Sequence, residues 1–244
     1  MGLFYLNHAR YPEAERYFIR VIQLIPGSAK AYNNLGAVYL KMGRNGDAIE
    51  QLQKSISIEP IAYACSNLGY LYYMDGRVAD AAAQFEKATE LIGTDFRIWG
   101  NLAEAYRWTP ALALKAPAAY RRAIDLTQKE IAINPVDAQL HSRLATYWAA
   151  LGLIDSGLAE RPADRRKAAA EIEKAIRLAP EDGTVEFHAA VVYEEARHRD
   201  RALRALKASL EASSEYREEI RRAPALDALR RDPRFHRLFD THQN

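Results

Sequence analysis

Residues 29–60 read AKAYNNLGAVYLKMGRNGDAIEQLQKSISIEP, and the rest of the chain repeats this plan with variations. Tyr32, Leu35, Gly36 and Tyr39 fall on one face of a helix, at the i, i+3, i+4, i+7 spacing of an amphipathic segment. Ala48 and Leu52 belong to a second helix, which Pro60 ends, because proline has no N–H to continue the ladder and disfavours a helical residue before it. Small Gly36 and Ala48 let the two helices approach at their crossing. Tyr32 and Tyr39 fill the groove beside them, and Gly43 allows the tight turn between the helices. The stretch is a helix–turn–helix.

Working outward, Gly2, Tyr5, Ala14, Phe18 and Pro26 stand 34 residues before Gly36, Tyr39, Ala48, Leu52 and Pro60. The chain therefore enters in the middle of a repeat, with most of a first helix missing, and is expected to be a piece of something longer. The third repeat, near 62–94, carries Leu68, Gly69, Tyr72, Gly76, Ala81, Phe85 and Ala88. The fourth opens with Trp99, Leu102, Ala103 and Tyr106, stalls, and resumes at Ala123 and Pro135. Tyr106 to Ala123 is 17 residues where Tyr39 to Ala48 is 9, an insert of eight bounded by Pro110 and Pro117. In the fifth, Trp148 to Ala168 is 20 residues, an insert of eleven. The sixth keeps Ala189, Ala190, Tyr193, Ala202 and Leu206, but no proline closes it. Beyond Ser214 the period ends. Ile220, Leu226, Leu229, Phe235, Leu238 and Phe239 recur there at helical spacing, as expected of short helices covering the last repeat. The expected organisation is a repeat array over 1–213, its first repeat truncated, with inserts near 107–120 and 153–166 on one edge, and capping helices over 214–244.

Tyr32, Leu35, Gly36, Tyr39, Ala48, Leu52 and Pro60 together follow W-x2-L-G-x2-Y…A…F…P, so the chain resembles the tetratricopeptide repeat, a helix–turn–helix of about 34 residues. The resemblance implies an all-α fold: a right-handed α-solenoid of about six such repeats whose first helices line a concave face. It also implies a protein-interaction role. The tail wording, I-R-R-x-P from Ile220 followed by L-R-x-D-P-R-F from Leu229, resembles tetratricopeptide tails of bacterial signalling proteins, as does the stretch 103–135. That likeness implies an alternative role as the regulatory or sensor C-terminal region of a kinase, adenylate cyclase or transcription regulator.

Composition excludes several classes. With 34 basic and 32 acidic residues the net charge is +2, so no overall field points towards nucleic acid or a membrane surface. No apolar run approaches the ~20 residues that cross a bilayer, and no secretion signal opens the chain. Cys65 is the only cysteine, which excludes an intrachain disulfide and fits a reducing compartment. A cytoplasmic monomer is expected. The chain has no H-E-x-x-H, G-x-x-x-x-G-K-[ST], G-x-S-x-G or G-x-G-x-x-G, and its six histidines lack metal-ligand spacing. His141 falls in the aromatic slot of its repeat, where packing is expected. No catalytic residue, metal or cofactor is expected, and an enzyme built on the solenoid finds no reactive cluster.

What remains is a surface. The stripe of the first helix not used for packing is Lys30, Asn33, Asn34, Ala37 and Lys41, followed in the third repeat by Tyr63, Ser66, Asn67, Tyr70, Tyr73 and Met74. The fourth offers Arg97, Gly100, Asn101, Glu104, Arg107 and Trp108. Asparagine thus recurs immediately before the Leu of three repeats, at Asn34, Asn67 and Asn101. Its side chain both donates and accepts, so a row of them suits the main chain of an extended peptide of any sequence. Tyr63, Tyr70 and Tyr73 supply walls. Arg97 and Arg107, balanced on that stripe only by Glu104, favour an acidic residue or a free carboxylate of the partner. In the family's clamp for chaperone carboxylate ends, Lys and Asn stand where this chain has Asn33 and Ala37, so the clamp is incomplete.

Overall fold

The computed structural model describes residues 1–154, 162–213 and 216–240. Residues 155–161 of the expected second insert, and 214–215 and 241–244 of the expected cap, lie outside the described residues. The described chain is all-α with no strand, and it divides into two compact units, Met1–Leu114 and Lys115–Asn244. The boundary falls inside the first insert.

The N-terminal unit holds α1 (Gly2–Asn7), α2 (Tyr11–Leu24), α3 (Ala29–Lys41), α4 (Asn45–Ile58), α5 (Ala62–Met74), α6 (Val78–Leu91) and α7 (Phe96–Trp108). They pair as hairpins α1–α2, α3–α4 and α5–α6, and α7 packs on α6. The close approach expected at glycine is present. A Cβ on Gly36 would stand 2.7 Å from Leu52 Cγ, and one on Gly69 2.9 Å from the Phe85 ring, both partners being fully buried. The hairpin turns share one backbone device. In each of the three hairpins the second residue after the first helix adopts the left-handed conformation: Gly43 (φ 72°), Gly76 (φ 76°) and, without glycine, Ala9 (φ 54°).

Each second helix of this unit begins on an arginine that faces a tyrosine ring. Arg10, Arg44 and Arg77 lie 4.8, 4.2 and 3.9 Å from the ring centres of Tyr5, Tyr39 and Tyr72. Each also pairs with a carboxylate three residues on, Glu13, Asp47 or Asp80. These pairs are solvent-facing, so each contributes at most about 1 kcal/mol; their repetition fixes the turn geometry more than it adds stability.

The C-terminal unit holds α8 (Ala116–Ile133), α9 (Ala138–Ile154), α10 (Pro162–Leu178), α11 (Gly183–Glu195), α12 (Arg199–Ala212), α13 (Arg217–Arg222), α14 (Asp227–Arg230) and α15 (Pro233–Asp240); a 3₁₀ turn (Pro110–Lys115) precedes α8 and another (Pro224–Leu226) precedes α14. Hairpins α9–α10 and α11–α12 pack side by side. Asp137 and Asp182 cap the first helices of these hairpins through their side chains. One buried cluster runs from Ala145 and Ile172 through Val185 and Leu206 to Ile220, Leu226, Leu229 and Phe235. The tail therefore shares the core of α11 and α12. Arg197 closes the α11–α12 turn with φ 62°.

Candidate functional site

In the N-terminal unit the first helices touch in series, α3 against α5 and α5 against α7. This places Asn34, Asn67 and Asn101 on neighbouring helices, all three half-buried. Asn34 Oδ1 accepts a hydrogen bond from the Asn33 amide at 3.2 Å, while the Oδ1 of Asn33 is buried without a partner. Among the described residues, the side chains of Asn67 and Asn101 make no hydrogen bond. Half-buried amides without protein partners keep both donor and acceptor available to a ligand.

Tyr63 is 47% exposed, and its hydroxyl donates to Asp95 Oδ2 at 3.4 Å. Tyr70 and Tyr73 are half-buried beside it in sequence and engaged with other groups. Arg97 differs from the sequence expectation. Asp95, the N-cap of α7, grips its guanidinium with two bonds, Nε to Oδ1 at 3.1 Å and Nη2 to Oδ2 at 2.7 Å. Burial raises the Asp95 carboxyl, but the Arg97 hydrogen bond and charge, with the N–H groups of Arg97 and Ile98, outweigh it and leave the carboxyl below its ordinary value. Arg107 lies 3.7 Å from Glu104 and over the Trp108 ring at 5.0 Å. The stripe alone hid Asp95, because a cap residue precedes the helix and does not share its face; the T-D-F wording at the start of α7 is the signal that finds it.

The remaining candidates are structural. His141 is buried, with Nδ1 2.5 Å from Glu171 and Nε2 3.0 Å from the Pro135 carbonyl. Cys65 is fully buried, and burial pushes its thiol up, away from the reactive thiolate. Ser142 Oγ meets His188 Nδ1, but Ser142 is fully buried, so no substrate reaches the pair. The described residues hold no group of three or more metal-ligating side chains, and none of their helices is long and apolar enough to cross a membrane. Of the first insert, Trp108 bonds Glu104 and Leu114 is 97% exposed.

The geometry is that of helices paired into hairpins and packed in series, and the comparisons agree. Residues 29–60 and 62–95 each match the tetratricopeptide repeat, so the chain contains such repeats. Among solved structures it is similar to the APC/C hetero-tetramer Cut9-Hcn1 (TM-score 0.62, 17% identity, covering 100% of this chain and 41% of that one). A thermophilic TPR protein of Thermus thermophilus gives TM-score 0.53 at 20% identity over 82% of this chain and 99% of that one. The pilF protein of Pseudomonas aeruginosa gives 0.53 at 19% over 89% and 92%. These likenesses show the fold: an all-α tetratricopeptide solenoid. A curated relative, Hsp70-Hsp90 organizing protein 1 of Glycine max, is 35% identical over 51 residues, 21% of this chain and 9% of that protein. The chain thus spans only a small part of that relative. The two matched repeats end at residue 95, so the likeness of the second half to signalling tails rests on its wording alone.

Proposed function

We propose that this chain is a non-catalytic protein-interaction scaffold that holds an extended segment of a partner protein along α3, α5 and α7. The observation that carries the reading is that Asn67 and Asn101 are half-buried and make no hydrogen bond among the described residues. With Asn34 they offer main-chain donors and acceptors in a row, while Tyr63, Tyr70 and Tyr73 provide walls with an apolar body and a polar tip. An acidic partner residue near the fourth repeat has to exchange with Asp95 on Arg97 or with Glu104 on Arg107, so the amides carry more of the affinity than charge does. The reading takes the protein as a monomer in a reducing, cytoplasmic compartment, with which a single unpaired cysteine, Cys65, is compatible.

The test is affinity. A partner segment captured from the source organism is synthesised, and its binding is measured against the wild type and the Asn34→Ala/Asn67→Ala/Asn101→Ala variant. At about 0.5–1.5 kcal/mol per lost contact, the triple change weakens binding by roughly ten-fold to a thousand-fold. Unchanged affinity in a folded variant contradicts the reading.

A further inference from the structure

Asn34, Asn67 and Asn101 are each the sixth residue of their helix, and those helices, α3, α5 and α7, touch in series. Packed helices run about 8–10 Å apart, so amides at one height on successive helices recur at about that spacing. The spacing discriminates between ligand backbones. A polyproline-II chain rises about 3.1 Å per residue with three residues per turn, so a carbonyl returns to the same side every ~9.3 Å. A β-strand rises about 3.3 Å per residue and alternates, so its like-facing carbonyls recur every ~6.7 Å and the one three residues on points away. A strand that meets Asn34 and Asn101 therefore turns a side chain to Asn67. An α-helical ligand offers nothing to the row, its carbonyls being bonded within it.

Two further observations narrow the ligand. Asn34 Oδ1 already accepts from the Asn33 amide, so the group that Asn34 has to offer is its NH2, a donor that calls for a carbonyl. The middle helix also carries the aromatic residues. Tyr63 stands four residues before Asn67 and Tyr70 three after it, on the same face of α5. Their counterparts are Lys30 and Ala37 on α3, and Arg97 and Glu104 on α7. Two helical turns, a rise of about 10 Å, separate Tyr63 from Tyr70, so a chain crossing α5 at Asn67 passes between them. Tyr63 remains exposed while its hydroxyl is tied to Asp95.

We propose, on the interaction reading given above, that the segment held along α3, α5 and α7 is a polyproline-II helix of a proline-rich partner. Its carbonyls at i, i+3 and i+6 accept from the side-chain amides of Asn34, Asn67 and Asn101, and the pyrrolidine rings beside carbonyl i+3 pack on Tyr63 and Tyr70. Proline suits a row of donors because it keeps its carbonyl and has no N–H to satisfy. The conformation exists before binding, so little ordering entropy opposes capture, and aromatic residues are the usual walls for such a chain.

The test uses the full chain and four fluorescein-labelled peptides: nonaproline, its all-D mirror image, tetraproline and a Gly-Ser nonapeptide. Nonaproline is expected to bind saturably and the other three about ten-fold or more weaker, since the mirror image has the wrong hand and tetraproline reaches only two amides. The Asn34→Ala/Asn67→Ala/Asn101→Ala variant is expected to lose about ten-fold or more for nonaproline, and Tyr63→Ala to weaken it as well. The comparison of the two hands needs no variant, so it stands whatever the variants do. No saturable binding of nonaproline, or equal binding of its mirror image, overturns the proposal. A captured partner segment without proline that loses affinity in the triple variant overturns it too, while leaving the scaffold reading intact.

Discussion

Ser142 Oγ lies 2.8 Å from His188 Nδ1 across the α9–α11 contact, with both residues shielded from solvent. Burial, then the charge of Arg143, pull His188 down to about 3 against an opposing pull from Asp182. The unfolded chain binds this proton at about 6.5 and the folded chain does not until far lower, so the unfolded state holds more protons between those values. This stability contribution is complete above pH 6.5 and is lost as pH falls towards 3, with a slope of up to ~1.4 kcal/mol per pH unit. Urea unfolding from pH 7.5 to 4.5 should show a steeper acid loss in the wild type than in His188→Gln. A wild-type minus variant difference that does not change with pH contradicts this.

Ala9 and Arg197 hold the left-handed turn position that Gly43 and Gly76 hold elsewhere. A side chain there crowds the following carbonyl, at a cost of about 1–2 kcal/mol. Ala9→Gly and Arg197→Gly are therefore expected to raise the global or local stability by about 1 kcal/mol, and Gly43→Ala to lower it by a similar amount. Thermal melts with hydrogen exchange over the two turns read both. Destabilisation by both glycine variants would count against the account.

Gly36 and Leu52 are fitted to each other: a Cβ at Gly36 meets Leu52 Cγ at 2.7 Å, and Leu52 is fully buried. Gly36→Ala should cost about 1–3 kcal/mol by overpacking. Combined with Leu52→Val the loss should be smaller than the sum of the two single changes, and a double-mutant cycle measures that coupling. Additive losses would mean the two positions do not share a contact.

Ile220, Leu226, Leu229 and Phe235 are buried in one cluster with Leu203, Leu206 and Val185. A protein ending at Ser213 exposes that face and is expected to self-associate, while Leu226→Ala in the full chain should cost about 2–5 kcal/mol. Light scattering and denaturant unfolding check the two. A monomeric truncated form with an unchanged melting temperature would refute the capping role.

The repeat register was legible because tight crossings and turns need particular residues: Gly36 and Gly69 where helices touch, Gly43 and Gly76 where the backbone turns left-handed. The asparagine row was legible for the same reason, since residues at fixed repeat offsets recur on successive first helices. Pairing across space was not. Arg97 looked free on its own stripe, yet Asp95 reaches it from the cap position. Ser142 and His188 are 46 residues apart, and no local pattern announces their bond.

The central claim is that the partner's main chain bonds the asparagine row. Side-chain amide NMR of ¹⁵N-labelled protein, titrated with the captured partner segment, tests it most directly. The account predicts that the amide resonances of Asn67 and Asn101 shift and become protected from exchange at saturation, with those of Asn7 unmoved. Saturation by the segment with the Asn67 and Asn101 amides unshifted would contradict it.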